Sequence, residues 1–215
     1  MELVGITREG LGDYVARQLD HFFPDRQGDT AGGIRRALGE TLERLNRCVN
    51  AVRMWPENRF HHLHSEQNTV FLAYLANTIW RNGGDPNLAT KVFYLNKALN
   101  GFHCFYDTEL PERFLIGHSV GIVLVRLKYP EYFAIYQGCT VGKNHGAAPV
   151  LGEGLVMYPG SAIIGDCKVG PRTYVAQGCS LVDADSPGDC LVFNADRRPI
   201  FKKPGRDILG DLFRL

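Results

Sequence analysis

The sequence predicts an α+β protein in which an N-terminal helical region is followed by a parallel β-helix. Two observations carry this prediction. Apolar residues occur at helical spacing in the first half, whereas from Phe114 onward that period is lost and glycines and short β-branched runs replace it. In the second half, aliphatic residues recur every six positions. We place the helical region at 1–104, the β-helix at 105–205 and a C-terminal helix at 206–215.

Four segments of the helical region have amphipathic patterns. They are "LGDYVARQLDHFF", "DTAGGIRRALGETLERLNRCVNAVR", "SEQNTVFLAYLANTIWRNGG" and "DPNLATKVFYLNKALNG". The third begins with Ser65 and ends at two glycines, and the fourth has Asp85 as a cap, Pro86 at its first position and Gly101 at its end. These helices are expected to pack on each other and to cover one end of the β-helix.

The six-residue period starts at Leu151. The first positions of successive hexapeptides are all apolar: Leu151, Met157, Ile163, Val169, Val175 and Leu181. The fifth positions are mostly small: Leu155, Ser161, Cys167, Thr173, Cys179 and Asp185. In a β-helix the aliphatic residue fills a corner from inside, the small one fits where the corner is tight, and stacked coils bury a continuous column. Cys167 and Cys179 are then small apolar fillers.

Upstream, Phe133 and Cys139 keep the same phase, so "FAIYQGCTVGKN" is predicted to form two more sides. The stretch "GKNHGAAP", residues 142–149, is predicted to be a loop that leaves the coil. The terminal segment "GRDILGDLFRL" is predicted to be a short amphipathic helix. Its apolar residues are expected to dock on the body: Ile208, Leu209, Leu212 and Phe213.

Composition excludes several classes of function. The formal net charge is +1, so nothing favours nucleic-acid binding. No apolar run reaches the ~18 residues of a membrane span, and the N-terminus lacks the pattern of a secretory signal. None of the six cysteines forms a CxxC pair. We therefore expect a reduced, soluble, cytoplasmic protein without nucleic-acid or membrane partners.

His118 is the most unusual residue of the second half, because it interrupts the apolar run "FLIGHSVGIVLV". An imidazole in such a run could be a core histidine, a metal ligand or a catalytic base. Histidine is the natural base near neutral pH. The histidine-rich stretch "FHHLH" lacks carboxylate or cysteine partners at metal spacing, so no metal is expected.

The order of these pieces resembles one family. A helical region followed by "GHSVGIVL", "IYQGCTVG" and "YPGSAIIGDCKVGPRTYVAQGCSLV" is similar to the serine acetyltransferases, within the left-handed β-helix acyltransferases of hexapeptide repeats. The likeness covers roughly residues 60–200. It implies a left-handed coil, acetyl-CoA as co-substrate, and a homotrimer with active sites between adjacent β-helices. Two such trimers could associate through their helical regions.

The resemblance also implies roles for individual residues. His118 would take the proton from the acceptor, Asp107 or its competitor Glu109 would orient His118, and His145 would contact the acceptor or act as a second catalytic residue. The backbone around Gly142, Ser161 and Gly178 matches positions that lie against pantetheine. The basic end of the coil would meet CoA phosphates, or else is a solvated basic stretch: Arg197, Arg198, Lys202 and Lys203.

The chain departs from the family at the acceptor pocket. The family has an Asp immediately before the histidine, where this chain has Gly117, and an Arg-His pair before a proline, where this chain has Ala147 and Ala148 before Pro149. Binding the charges of serine without these partners is costly.

The predicted function is therefore acetyl transfer from acetyl-CoA to the hydroxyl of serine or of another small molecule, with histidine as general base. One alternative is O- or N-acetylation of a sugar or a nucleotide-linked amino sugar. Another is a non-catalytic β-helix that serves as an assembly subunit. The sequence leaves the choice between hydroxyl and amine acceptors open.

Overall fold

The computed structural model describes residues 1–196 and 198–215. All four predicted helices of the N-terminal region are present, and a two-stranded parallel sheet accompanies them. The helices are α1 (Arg8–Phe22), α2 (Thr30–Ala51), α3 (Ser65–Arg81) and α4 (Pro86–Asn100), and the strands are β1 (Glu2–Leu3) and β2 (Arg59–Phe60).

Side-chain caps fix the starts of these helices. Thr7, Asp29 and Asp85 each accept a hydrogen bond from a backbone N–H of the first turn, at 2.9–3.0 Å. The last helix ends at Gly101, whose φ of 64° is the left-handed conformation that glycine adopts without a steric penalty. The predicted roles of Asp85 and Gly101 are therefore confirmed.

The third helix is the centre of the helical region. Every residue from 69 to 79 is buried, because α2 and α4 pack on either side of α3 and the β-helix adjoins it. Among the described residues, no helix is both long enough and apolar enough to cross a bilayer.

The second half is a three-sided coil of short parallel strands, which confirms the predicted left-handed β-helix fold. The strands are β3 (Phe102–Cys104), β4 (Phe114–Gly117), β5 (Ile122–Leu124), β6 (Phe133–Tyr136), β7 (Thr140–Gly142), β8 (Val150–Leu151), β9 (Val156–Met157), β10 (Ala162–Ile164), β11 (Lys168–Val169), β12 (Thr173–Val175), β13 (Ser180–Val182) and β14 (Cys190–Ala195). One side stacks in the order β3-β5-β7-β10-β13, the second in the order β4-β6-β9-β12-β14, and the third pairs β8 with β11.

The first strand of the coil lies before the predicted boundary at residue 105, and the coil ends in an antiparallel hairpin. Its first strand, β3, lies inside the segment 1–104 and pairs with β5. At the other end, a last strand β15 (Arg198–Lys202) folds back antiparallel on β14, so the basic end of the coil is one strand of a hairpin.

The predicted hexapeptide phase is confirmed through most of the coil. The first-position residues from Met157 to Leu181 are buried, while Leu151 is half-buried, and the fifth-position residues from Leu155 to Cys179 are buried. The prediction is wrong at Asp185, which is exposed and accepts a hydrogen bond from the Lys168 backbone N–H. Ser186 takes the inward place instead, because its hydroxyl bonds that of Thr173 at 2.9 Å.

The C-terminal segment joins the two halves of the chain. Its short helix α5 (Ile208–Leu212) and the following Phe213 bury the four apolar side chains that the sequence predicts. The guanidinium of Arg214 donates to the Asn50 carbonyl in the last turn of α2 and to three backbone carbonyls of residues 52–55, just after the helix. Helices leave their last carbonyls without intrahelical partners, so Arg214 caps α2 from a distant part of the sequence.

We expect Arg214→Ala to lower the free energy of unfolding by about 1.5–3 kcal/mol, because bonds from a charged donor to these carbonyls are lost. Urea unfolding measures the change. Arg206→Ala is the matched control, since Arg206 is largely exposed beside Asp211, and it should change the free energy by less than about 0.5 kcal/mol. Equal effects of the two substitutions would show that Arg214 does not cap α2.

Candidate active site

His118 lies at a corner of the coil where the chain is longer than in the other coils. The register pairs Gly117 with Tyr136 and stacks Gly121 on Gly138. Three residues, 118–120, therefore span a corner that one residue spans in each coil above it: Gln137, Pro159 and Gln177. The two additional residues cannot join the stacked register, so the corner projects outward.

The projecting corner is held in one conformation. The Ser119 hydroxyl donates to the Asn100 carbonyl at 2.8 Å, and the Gly121 N–H donates to the Gly101 carbonyl at 3.1 Å. His118 itself has a φ of 55°, which is uncommon outside glycine. Its side chain is 75% exposed. His118 is therefore not a core histidine, and its ring is free to meet a ligand.

A carboxylate from the helical region lies near Nδ1 of the His118 ring. Nδ1 of His118 is 3.7 Å from Oε1 of Glu66, which is in the first turn of α3 and only 21% exposed. The other oxygen of Glu66 accepts from the Ser65 hydroxyl at 2.8 Å and lies 3.2 Å from Nδ1 of His64. The sequence analysis missed Glu66, because an acid in the first turn of a helix is common and does not indicate a site.

His64 belongs to the histidine-rich stretch and has a structural role. Its Nδ1 is 3.5 Å from the Gln67 backbone nitrogen as well as 3.2 Å from Glu66. One nitrogen can serve only one of these partners, accepting from Gln67 when it carries no proton and donating to Glu66 when it does. No cluster of three or more metal-ligating side chains occurs in the part of the chain that the structure describes.

Asp107 does not contact His118 within one chain, so its predicted role in orienting that base stays a prediction. Asp107 follows the end of β3, whereas His118 precedes the start of the parallel strand β5, so the two lie about 10 Å apart along the strands. The carboxylate of Asp107 is instead 2.8 Å from Nε of Arg126, whose guanidinium lies over the Phe105 ring. The competitor Glu109 is exposed and lies at the same far end.

His145 also lies at the far end. It is exposed in the loop that follows β7, with a φ of 46°, and that loop leaves the coil opposite the corner of His118. Hydrogen bonds from the Asp166 backbone and from Asn144, with the nearby charge of His145, hold the pKa of Asp183 below its ordinary value. The predicted loop is therefore present, but one chain does not bring His145 to His118.

Tyr136 occupies the space where a side chain at position 117 would project. A Cβ atom on Gly117 would lie 2.5 Å from two carbons of the Tyr136 ring. The ring in turn stacks on Tyr158, with centroids 5.8 Å apart and planes at 15°. Burial raises the pKa of the Tyr136 phenol. An aromatic side chain from the next coil thus occupies the space in which the family's acid before the histidine would lie.

An outward row of side chains leads from the His118 corner to the C-terminal hairpin. Its residues are Gly117, Tyr136, Tyr158, Ala176 and Phe193. Four strand spacings make this row about 19 Å long. At its end, Nζ of Lys202 lies 5.2 Å from the centre of the Phe193 ring. The row fits an extended molecule with one anionic end.

The residues predicted to bind the cofactor differ in exposure and in their place along the coil. Gly178 is exposed at the corner column of His118, and Gly142 lies at the far end of its side. Ser161 is fully buried, with its hydroxyl 3.4 Å from the Cys139 sulfur and both backbone groups hydrogen-bonded, so its side chain cannot contact a cofactor. Arg198, Lys202 and Lys203 are exposed and form no salt bridge with any described residue, while Arg197 lies outside the described residues.

Comparison with solved structures confirms the resemblance in fold. Serine acetyltransferase from Brucella abortus superposes with a TM-score of 0.71 at 20% identity, over 92% of this chain and 84% of that one. The same enzyme in complex with coenzyme A gives 0.64 at 18% identity, over 93% and 84%. Neisseria gonorrhoeae serine acetyltransferase gives 0.70 at 15% identity, over 91% and 81%. No family model and no curated protein matches the sequence.

We expect Gly117→Asp to destabilise the fold by about 1–3 kcal/mol, because the new side chain overlaps the Tyr136 ring. Tyr136→Ala removes the overlap, so Gly117→Asp should cost at least about 1 kcal/mol less in that background. Urea unfolding of the four proteins of this cycle measures the coupling. Gly205→Asp is the control, since Gly205 has open space around it. Additive effects of the two substitutions at the site would contradict the assigned position of the ring.

Proposed function

We propose that the protein is an acetyl-CoA-dependent acetyltransferase in which His118 is the general base for a small-molecule acceptor. The observation that carries the proposal is the lengthened corner, which exposes the imidazole of His118. Glu66 of α3 places a carboxylate near Nδ1 of this imidazole. The fold supports it, since the solved structures it resembles are serine acetyltransferases and one of them contains coenzyme A.

The two ring nitrogens of His118 have different surroundings. Nδ1 faces Glu66, so Nε2 is the nitrogen left for the acceptor. Acetyl-CoA would supply a thioester whose carbonyl carbon the acceptor attacks. Nε2 removes the proton from the acceptor hydroxyl or amine during that attack. The resulting imidazolium returns the proton to the leaving sulfur, and Glu66 stabilises the imidazolium in between, as the carboxylate does in other catalytic pairs.

The outward row between His118 and the hairpin is the proposed site of acetyl-CoA. Tyr136 and Tyr158 would contact the pantetheine arm, and the exposed corner at Gly178 leaves room beside it. Lys202, with its neighbours Arg198 and Lys203, would bind the phosphates through charge-assisted hydrogen bonds. These three side chains form no salt bridge with the described residues, so they are free to pair with an anionic ligand.

The side chains near His118 favour an acceptor other than serine. An amino acid brings two charges, whereas position 117 carries no acid and the residues before Pro149 are alanines. Tyr136 presents an aromatic surface beside His118 instead, and this surface suits the apolar face of a sugar ring. Acetylation of a sugar hydroxyl or amino group is therefore the second candidate, and L-serine remains to be tested beside it.

We also propose that the active site is completed in a homotrimer. A base that is 75% exposed on one chain cannot exclude water from the reaction by itself. A neighbouring β-helix would cover His118, and it could bring the far-end residues Asp107 and His145 of its own chain to that base.

Light scattering should give the mass of a trimer, or of two trimers joined through the helical regions. We propose a cytoplasmic location with this function, as the sequence analysis expects.

The test is release of the CoA thiol from acetyl-CoA with L-serine and with a panel of sugars and nucleotide-linked amino sugars. His118→Ala should lower kcat by about 10²–10⁴-fold, the usual contribution of a general base. His21→Ala, at an exposed histidine of α1, is the matched control and should leave kcat unchanged.

Release with serine would assign serine as acceptor, and release only with a sugar would assign the second candidate. If the protein neither binds acetyl-CoA nor releases thiol with any acceptor, the enzyme proposal fails and a non-catalytic assembly role stands.

A further inference from the structure

We propose that Glu66, from the helical region, is the residue that positions the His118 imidazole for proton transfer. The proposal rests on the acetyltransferase function proposed above. It assigns to a helix outside the coil a task that the family resemblance gives to Asp107 or Glu109, and it follows from contacts of the two side chains.

Glu66 is held so that one oxygen faces the base. Its Oε2 accepts from the Ser65 hydroxyl at 2.8 Å and lies 3.2 Å from His64, while Oε1 lies 3.7 Å from Nδ1 of His118. The last distance exceeds a hydrogen bond. Catalytic hydrogen bonds are often long before the substrate binds and shorten in the complex, and the exposed His118 ring is free to rotate toward Oε1.

Within one chain, no other carboxylate of the described residues reaches this ring. Glu66 is the one carboxylate within 4.0 Å of a His118 nitrogen among the described residues. Asp107 is paired with Arg126 at the far end of the side, and Glu109 lies at that end as well. A base oriented within one chain must therefore use Glu66.

The helix that carries Glu66 is fixed firmly to the coil. The Tyr74 hydroxyl donates to the Pro111 carbonyl at 2.6 Å, and the Asn77 side chain donates to the Tyr106 carbonyl at 2.8 Å. Both bonds join α3 to the strands and corners that precede His118. The carboxylate and the imidazole are thus parts of one packed unit, as a positioning contact requires.

The experiment compares Glu66→Gln, Glu66→Asp, Glu9→Gln and Asp107→Asn. We expect Glu66→Gln to lower kcat about 10–100-fold, below the full loss of a general base, with little change in the KM for acetyl-CoA. Glu66→Asp keeps the charge and should retain more activity than Glu66→Gln. Glu9→Gln removes an exposed acid from the first turn of α1, so it controls for loss of charge at a helix start and should leave kcat unchanged.

Asp107→Asn decides between the two carboxylates. A loss of kcat with Asp107→Asn but not with Glu66→Gln would overturn the proposal and return the role to Asp107. Equal kcat for wild type and Glu66→Gln would also overturn it.

A second measurement does not depend on turnover. In protein labelled with ¹⁵N at histidine, at about pH 8.5 where an ordinary imidazole is neutral, NMR shows which ring nitrogen carries the proton, and His118→Ala identifies the His118 signals. A carboxylate at Nδ1 should place the proton there, and Glu66→Gln should shift it toward Nε2.

An unchanged proton position in Glu66→Gln would overturn the positioning contact. If wild type releases no CoA with any acceptor, the proposed function fails, whereas the NMR result still decides whether Glu66 holds the ring.

Discussion

Each coil of the β-helix has to repeat the register of the coil beside it, because its backbone hydrogen bonds and its inward side chains both depend on that register. The corner column shows the constraint most clearly. Gly121, Gly138, Gly160 and Gly178 all have positive φ, and each donates its N–H to a carbonyl of the preceding coil. Residues beyond those that the register admits have to leave the column. The corner at 118–120 contains two such residues, so His118 points away from the coil.

The helical region gives this corner its chemical surroundings. A bare corner would expose His118 to water on every side, whereas α3 brings Glu66 to one of its nitrogens. The helix is buried from residue 69 to residue 79 and bonded to the coil through Tyr74 and Asn77. At the opposite end of the sequence, Arg214 caps α2 and ties the C-terminal segment to the same region. The position of the carboxylate therefore depends on the packing of the whole chain.

Local patterns in the sequence predicted the elements, since each depends on residues close together in the chain. The helices follow from their period and caps such as Asp85 and Gly101, and the coil follows from aliphatic residues spaced by six. The phase fails at Asp185 because the next residue, Ser186, makes the inward hydrogen bond to Thr173, and a fixed period does not detect a shift of one residue.

The site was less predictable because its contacts join distant positions. Asp107 is only 11 residues from His118, yet that separation in a coil corresponds to opposite ends of a side, so closeness in sequence does not bring the two together within one chain. Tyr136, which fills the space at Gly117, comes from the following coil, and Glu66 comes from another region of the chain. The sequence showed that an acid is missing at position 117 but not which side chain takes its space.

A crystal structure of the protein with coenzyme A tests the central claim most directly, since it would show where the thiol lies. We predict that the sulfur lies beside Nε2 of His118, the pantetheine arm follows Tyr136 and Tyr158, and the phosphates meet Lys202. Coenzyme A bound away from the lengthened corner, or no binding at saturating concentration, would contradict the assignment of this corner as an acetyl-transfer site.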